Sequence, residues 1–148
     1  QIVRAYGAVA NGGKLLTPHF VTHRGEGEVK WPKGKTVISE DTREQEIEMM
    51  RIVMTEGTGT NANVDGYEFV GKTGTGEQAA ETGGYLENSF VSSVCGFANA
   101  DDPQILVYVG LDGTPYHSSE SSAHAFHDIA QQACTILGIQ PSTNVSGE

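Results

Sequence analysis

The beginning of the chain carries a helical pattern followed by an extended one. Apolar residues recur at helical spacing over Gln1–Asn11, and the glycine pair that follows predicts where this helix ends. Two stretches with strand-like composition, Val21–Trp31 and Thr36–Ser39, predict short strands. Because the turn-forming segment Pro32–Lys35 separates these strands, we expect them to pair as a hairpin.

A second helix is predicted over Thr42–Thr55. Ser39 or Asp41 can cap its N-terminus, because short polar side chains accept hydrogen bonds from the first free amides of a helix. Gly57 and Gly59 predict its end. The helical period places four apolar side chains on the buried face: Ile47, Met50, Val53 and Met54.

The second half of the chain carries three strand patterns. Tyr67–Thr75, Ser89–Ala98 and Gln104–Leu111 are rich in β-branched and aromatic residues. The polar, glycine-rich segment Gly76–Glu87 predicts a loop between the first two strands. The turn at Asn99–Pro103 is short enough to force the last two strands to pair in antiparallel fashion.

An amphipathic helix is predicted over Ser121–Leu137, ended by Gly138. Its apolar face is expected to bury Ala125, Ile129, Ala133, Ile136 and Leu137. The remaining segment, Pro141–Glu148, consists of small and polar residues and is predicted to be a disordered tail.

Together these elements predict an α+β fold over residues 1–140. A three-stranded antiparallel sheet would be covered by the C-terminal helix and preceded by helices and a short hairpin. A chain of 148 residues is long enough for one domain with a modest core. The net charge of −10 argues against a nucleic-acid partner, because proteins that bind nucleic acids present basic surfaces.

The cysteines and histidines do not predict a metal site. Cys95 and Cys134 are too few for a disulfide scaffold and are expected to be small buried side chains, although pairing between them stays open. His124 and His127 share one helix face, but no third ligand stands at a suitable spacing. We therefore expect neither a metal ion nor another cofactor.

One stretch matches two active-site motifs. Residues Gly66–Thr73 read G-x-x-x-x-G-K-T, the phosphate-binding loop of nucleotide hydrolases. Residues Lys72–Thr75 read K-T-G-T, the third motif of serine acyl-transferases that react with penicillin. A phosphate loop requires a strand before Gly66 and a helix that begins at the Lys-Thr pair, whereas here a polar run precedes the motif and glycines follow it. The surrounding sequence therefore favours the second motif.

As part of a strand, the K-T-G-T motif can bind a carboxylate. Lys72 supplies a cation, and Thr73 and Thr75 supply hydroxyl groups along one strand. Gly74 lacks a side chain, so an extended substrate can lie against the strand as an added partner. An ordinary exposed strand with a solvated lysine is the simpler alternative.

The order of motifs resembles the C-terminal part of the transpeptidase domain of class B penicillin-binding proteins. The matching stretches run through nearly the whole chain: residues 5–14, 17–19, 54–59, 70–75, 95–98 with 103–104, and 137–141. The resemblance implies a partial transpeptidase domain of the β-lactamase-like fold. It also implies an enzyme that cross-links peptidoglycan stem peptides through an acyl-serine intermediate and that binds β-lactams.

The resemblance assigns roles to the motif residues. Lys72 would supply positive potential and assist proton transfer, while Thr73, Gly74 and Thr75 would bind the substrate, with both hydroxyls directed to its carboxylate. The backbone N–H of Thr75 would be one of two oxyanion donors. No serine in the chain has a lysine three positions later, and the one Ser-x-Asn, at residues 142–144, follows the K-T-G-T motif instead of preceding it. The nucleophile is therefore expected upstream of Gln1, and the chain alone is expected to be inactive.

The resemblance also implies a location and partners. The parent protein would be anchored in the bacterial cell membrane, act on its extracytoplasmic face and belong to a membrane complex for cell-wall synthesis; the chain itself has no apolar run of the roughly 20 residues that a bilayer requires. Two alternatives from other functional classes remain: a non-catalytic β-lactam sensor, and a fragment of a nucleotide hydrolase.

Overall fold

The computed structural model describes residues 1–142. Its helices and strands follow one another as α1 (Ile2–Ala10), β1 (Lys14–Leu15), β2 (His23–Arg24), β3 (Gly27–Glu28), β4 (Lys35–Thr36), α2 (Glu40–Thr55), a 3₁₀ turn (Thr60–Ala62), β5 (Phe69–Ala79), β6 (Tyr85–Ala98), β7 (Leu106–Thr114) and α3 (Glu120–Leu137). No helix within this range is long and apolar enough to cross a bilayer.

The main sheet has three antiparallel strands in the order β5-β6-β7. The predicted α+β class and the three-stranded sheet are therefore confirmed. The predicted loop at Gly76–Glu87 is wrong over most of its length, since β5 continues to Ala79 and β6 begins at Tyr85. The chain reverses between them with Gly83 and Gly84 at φ values of +93° and +79°, which glycine adopts without a steric penalty.

Each face of this sheet is covered by helices. On one face, Phe69 of β5 meets Phe126 of α3 edge to face, with ring centroids 5.6 Å apart, and both side chains are buried. On the other face, Val70 and Phe97 pack against Ile47 and Met50 of α2. The sheet thus lies between α3 on one face and the N-terminal helices on the other. Strand β5 contributes Phe69 to the first hydrophobic contact and Val70 to the second.

The predicted buried face of α3 is wrong for its larger side chains, whereas Ala125 and Ala133 are partly buried. The buried side chains are Ser122, Ala123, Phe126, Ala130 and Cys134, whereas Ile129, Ile136 and Leu137 are exposed. Two stripes at helical spacing overlap in this sequence, and only one contains an aromatic ring. Packing of Phe126 against Phe69 selects that stripe, because a buried aromatic side chain contributes more apolar contact than the isoleucine it displaces to the surface.

The predicted hairpin near the N-terminus is also wrong in its pairing. Strand β2 pairs with β3 inside the segment predicted as one strand, because Gly25, at φ +61°, reverses the chain there. Strand β4 pairs with β1 instead, directly after α1. Gly13 permits this second pairing, because an added Cβ would clash with the carbonyl oxygen of Ile38.

Helix α2 matches its prediction closely. Ser39 is the N-cap and its hydroxyl accepts a hydrogen bond from the Thr42 amide at 3.2 Å. Ile47, Met50 and Met54 are buried as expected, and Val53 is partly buried. Near its C-terminal end, the Arg51 guanidinium contacts the Glu68 carboxylate at 2.6 Å. This ion pair ties α2 to the residue that precedes β5.

The start of the predicted tail is hydrogen-bonded to residues that flank β5 and β6. The Ser142 amide donates to the carbonyl oxygen of Gly66 at 2.9 Å, and the Glu68 amide donates to the Ser142 hydroxyl at 2.9 Å. The Ser142 hydroxyl in turn donates to the Asn99 side chain. The remainder of the tail prediction falls on residues 143–148, outside the described residues.

The two cysteines are free, buried thiols in the described part of the chain. Burial raises the pKa of the Cys95 thiol to about 12 and also raises the pKa of Cys134. Because the thiolate is the reactive form, we expect iodoacetamide at pH 8 to leave both cysteines unmodified in the folded protein and to alkylate both after denaturation. Peptide mass spectrometry measures this directly, and alkylation of Cys95 in the folded protein would contradict its burial.

Candidate active site

Strand β5 lies at one edge of the main sheet. Some backbone N–H and C=O groups of its K-T-G-T motif therefore have no neighbouring strand to pair with. Phe69 is opposite Ala98, and the Asn99 amide donates to the Glu68 carbonyl at 2.8 Å. Since hydrogen-bonded positions alternate along an antiparallel pair, the even-numbered residues of β5 point their backbone groups at β6. The N–H and C=O groups of Thr73 and Thr75 therefore point away from β6, toward the open edge.

Lys72 and Thr73 converge at this edge although their side chains leave opposite faces of the strand. The Lys72 ammonium donates to the Thr73 carbonyl oxygen at 2.9 Å and to the Thr73 hydroxyl at 3.2 Å. Lys72 is exposed, whereas Thr73 is only 9 % exposed. The flexible Lys72 side chain thus bends past the open edge of β5, so that its ammonium lies on the same face of the sheet as the Thr73 side chain.

Thr58, which follows α2, adds a third group to this cluster. Its hydroxyl oxygen lies 2.5 Å from the Thr73 hydroxyl oxygen, a hydrogen bond in which either group can donate. Sequence reasoning did not identify Thr58 as a site residue, because the contact joins positions that are 15 residues apart. The sequence signals are its position between Gly57 and Gly59 and its place within residues 54–59, one of the stretches that carry the family resemblance.

Gly74 and Thr75 complete the motif. A Cβ at Gly74 would meet the Ser93 hydroxyl at 2.8 Å, so a larger residue at this position would require that hydroxyl to move. Thr75 is exposed and lies opposite Ser92. The Ser92 hydroxyl is fully buried and lies 2.7 Å from the Ser122 hydroxyl of α3, which fixes the neighbouring part of β6 against that helix.

The backbone excludes a phosphate-binding loop at the K-T-G-T motif. Lys72 and Thr73 lie inside a continuous strand from Phe69 to Ala79, whereas a phosphate loop ends in a helix at these two residues. The prediction that these residues lie in a strand is therefore confirmed. Backbone amides and a helix N-terminus therefore do not converge on a phosphate site at these residues.

His124 and His127 lie on α3, away from the K-T-G-T motif in sequence. The Nδ1 atom of His127 is 2.6 Å from the carbonyl oxygen of Asn63, which gives this ring a structural partner between α3 and the 3₁₀ turn. Within residues 1–142, no group of three or more His, Cys, Asp or Glu side chains is arranged to hold a metal ion. The sequence expectation of no metal site remains a prediction.

Comparison with known proteins identifies the family. The family model described as the penicillin binding protein transpeptidase domain matches residues 1–131. The chain belongs to this transpeptidase family. Its resemblance to class B penicillin-binding proteins is supported by curated relatives. Stage V sporulation protein D of Bacillus subtilis is 38 % identical over 154 residues, which cover 97 % of this chain and 24 % of that protein.

Further relatives carry the enzymatic name. A Neisseria flavescens protein named as a probable peptidoglycan D,D-transpeptidase, PenA, is 32 % identical over 99 % of this chain and 36 % of its own length. The chain therefore spans from about a quarter to just over a third of the length of these relatives.

Solved structures share the fold of this transpeptidase segment. A crystal structure of penicillin binding protein 3 from Mycobacterium tuberculosis, complexed with ampicillin, superposes on this chain with a TM-score of 0.84 at 28 % identity. The matched region covers 99 % of this chain and 36 % of the M. tuberculosis chain. A protein from Atopobium parvulum gives a TM-score of 0.85 at 48 % identity, covering 95 % of this chain and 33 % of its own. The partial transpeptidase fold is thus confirmed.

Proposed function

We propose that this chain forms one wall of the acyl-transfer site of a peptidoglycan D,D-transpeptidase. The observation that carries the proposal is the convergence of the Lys72 ammonium, the Thr73 hydroxyl and the outward N–H of Thr75 at the open edge of β5. A cation, hydroxyl groups and a free amide at a strand edge match an extended peptide that ends in a carboxylate. The relatives named as D,D-transpeptidases support the reaction class.

In the proposed reaction, a serine from outside this chain attacks the carbonyl carbon of a D-Ala-D-Ala peptide bond. The serine hydroxyl gives up its proton as its oxygen bonds to the carbon, the carbon–nitrogen bond breaks with transfer of a proton to the nitrogen of the departing D-alanine, and the acyl group remains on the serine oxygen. The amine of a second stem peptide then takes the acyl group and releases the serine. This two-step transfer cross-links peptidoglycan without any cofactor.

The residues of this chain would bind and orient the substrate. Thr73 and Thr75 would donate hydroxyl protons to the terminal carboxylate, and the backbone at Gly74 would allow the peptide to lie close to the strand. Lys72 would hold positive charge near that carboxylate. The Thr75 amide would stabilise the oxyanion of the tetrahedral intermediate, where the loss of one donor typically costs about 10²–10³-fold in rate.

Covalent labelling with a fluorescent penicillin tests this function. We expect the full-length protein to be labelled and this chain alone to remain unlabelled, because its sequence contains no Ser-x-x-Lys motif. Labelling of the isolated chain would show that it holds a nucleophile of its own. The ampicillin complex of the M. tuberculosis relative supports the choice of probe.

Turnover separates an enzyme from a sensor. A D,D-transpeptidase should release D-alanine from a peptide that ends in D-Ala-D-Ala, whereas a non-catalytic β-lactam sensor would be labelled by penicillin but release none. Absence of D-alanine release from labelled full-length protein would favour the sensor.

We further propose that the full-length protein is membrane-anchored and acts outside the cytoplasm within a cell-wall synthesis complex, where stem peptides are available.

A further inference from the structure

The turn after α2 places Thr58 against β5. The Gly59 amide donates to the Val53 carbonyl at 2.9 Å, which folds the chain back on the last turn of the helix. A Cβ at Gly57 would lie 2.9 Å from Val53 Cα, and a Cβ at Gly59 would lie 2.7 Å from Met54 Sδ. Side chains at either glycine would open this turn, so both glycines fix the position of the threonine between them.

The hydrogen-bonding capacity of Thr73 gives Thr58 a specific task. A hydroxyl has one proton and two lone pairs. Lys72 can only donate, so its ammonium occupies one lone pair of the Thr73 oxygen at 3.2 Å. If Thr58 also donates, across 2.5 Å, both lone pairs are used and the proton of Thr73 is left for a third partner. A carboxylate, which accepts only, is the partner that this arrangement fits.

We propose that Thr58 is a positioning residue, which holds the Thr73 hydroxyl with its proton available to the substrate carboxylate and keeps the Lys72 ammonium beside it. This inference rests on the proposed function, since it concerns the same carboxylate. It adds a residue outside the K-T-G-T motif that acts through Thr73 and determines how strongly the site distinguishes ligands with a free carboxylate.

The test compares two ligands on the full-length protein: a β-lactam with a free carboxylate and the methyl ester of the same compound. We expect Thr58→Val to lower the second-order acylation rate constant for the free acid about tenfold, the typical effect of losing one such hydrogen bond, and the constant for the ester less than twofold. Thr58→Ser, which keeps the hydroxyl, should restore the rate for the free acid to within about twofold.

Two further variants make the test decisive. Thr55→Val removes a hydroxyl from α2 that bonds to the Arg51 carbonyl at 3.1 Å and not to β5, so acylation should not change. Thr58→Ala adds no bulk and carries the same expectation as Thr58→Val if the valine variant fails to fold. Equal losses for acid and ester, or no loss for the acid, would overturn the inference. Failure of the unsubstituted protein to react with either ligand would instead contradict the proposed function.

Discussion

Replacement of Lys72 by alanine is expected to abolish acylation of the full-length protein by a fluorescent penicillin. The substitution removes the one cation of the K-T-G-T motif and both hydrogen bonds that its ammonium makes to Thr73. The ligand carboxylate would then meet no compensating charge from this motif, and the Thr73 hydroxyl would lose the hydrogen bond that the Lys72 ammonium donates to it. Because charge-assisted hydrogen bonds in a catalytic site act together, we expect a fall of at least about 10³-fold, below detection in a gel assay.

The fold should survive this substitution. Lys72 is exposed, and exposed substitutions away from special features usually change the free energy of unfolding by less than about 0.5 kcal/mol. Lys35→Ala is the matched control, because Lys35 is an exposed lysine on a strand distant in sequence from the motif. It should leave both labelling and melting temperature unchanged. Undiminished labelling of the Lys72 variant would show that the motif assignment is wrong.

The main sheet could be predicted because its signals are local. Strands β6 and β7 carry long β-branched and aromatic stretches, and the turn between them is too short for any pairing other than an antiparallel hairpin. The N-cap at Ser39 depends on residues within one turn of the chain. Each of these features is decided by neighbours in sequence, so the pattern alone was sufficient.

The errors arose where distant residues decide between two local possibilities. On α3, Ile129 and Phe126 lie on overlapping apolar stripes, and the choice depends on Phe69, which is 57 positions before Phe126. Near the N-terminus, β1 competes with β3 for a partner strand, and the short strands themselves specify little. Local periodicity cannot rank such alternatives, because the free-energy difference lies in packing between elements.

The candidate site shows the same division. The K-T-G-T motif and its strand could be predicted from the sequence, since the glycines after Thr73 disfavour a helix there. The contact between Thr58 and Thr73 could not be predicted from the sequence, because it depends on the position of the turn after α2 beside an edge strand. Glycines on both sides of a threonine indicate a tight turn, but not what the threonine contacts.

Substitution of Gly71 by alanine is expected to damage both stability and acylation, because the backbone of β6 leaves no room for a side chain at this residue. Gly71 is opposite Gly96, and a Cβ at position 71 would lie 2.6 Å from the Cys95 carbonyl oxygen and 2.9 Å from Gly96 Cα. Both obstacles are backbone atoms, so relief requires β5 to move away from β6. We expect a loss of about 3 kcal/mol in the free energy of unfolding, at the upper end of ordinary overpacking.

The consequence for function follows from the position of Gly71 next to Lys72. A displaced β5 would carry the Lys72 ammonium and the Thr75 amide away from the substrate, and misplacement by about 1 Å can cost about 10²-fold in rate. Gly76→Ala is the matched control on the same strand, since a Cβ there would meet nothing within 4 Å. It should change stability by less than about 0.5 kcal/mol. Denaturant unfolding and penicillin acylation of both variants measure the two effects, and equal behaviour of the two would contradict the close approach at Gly71.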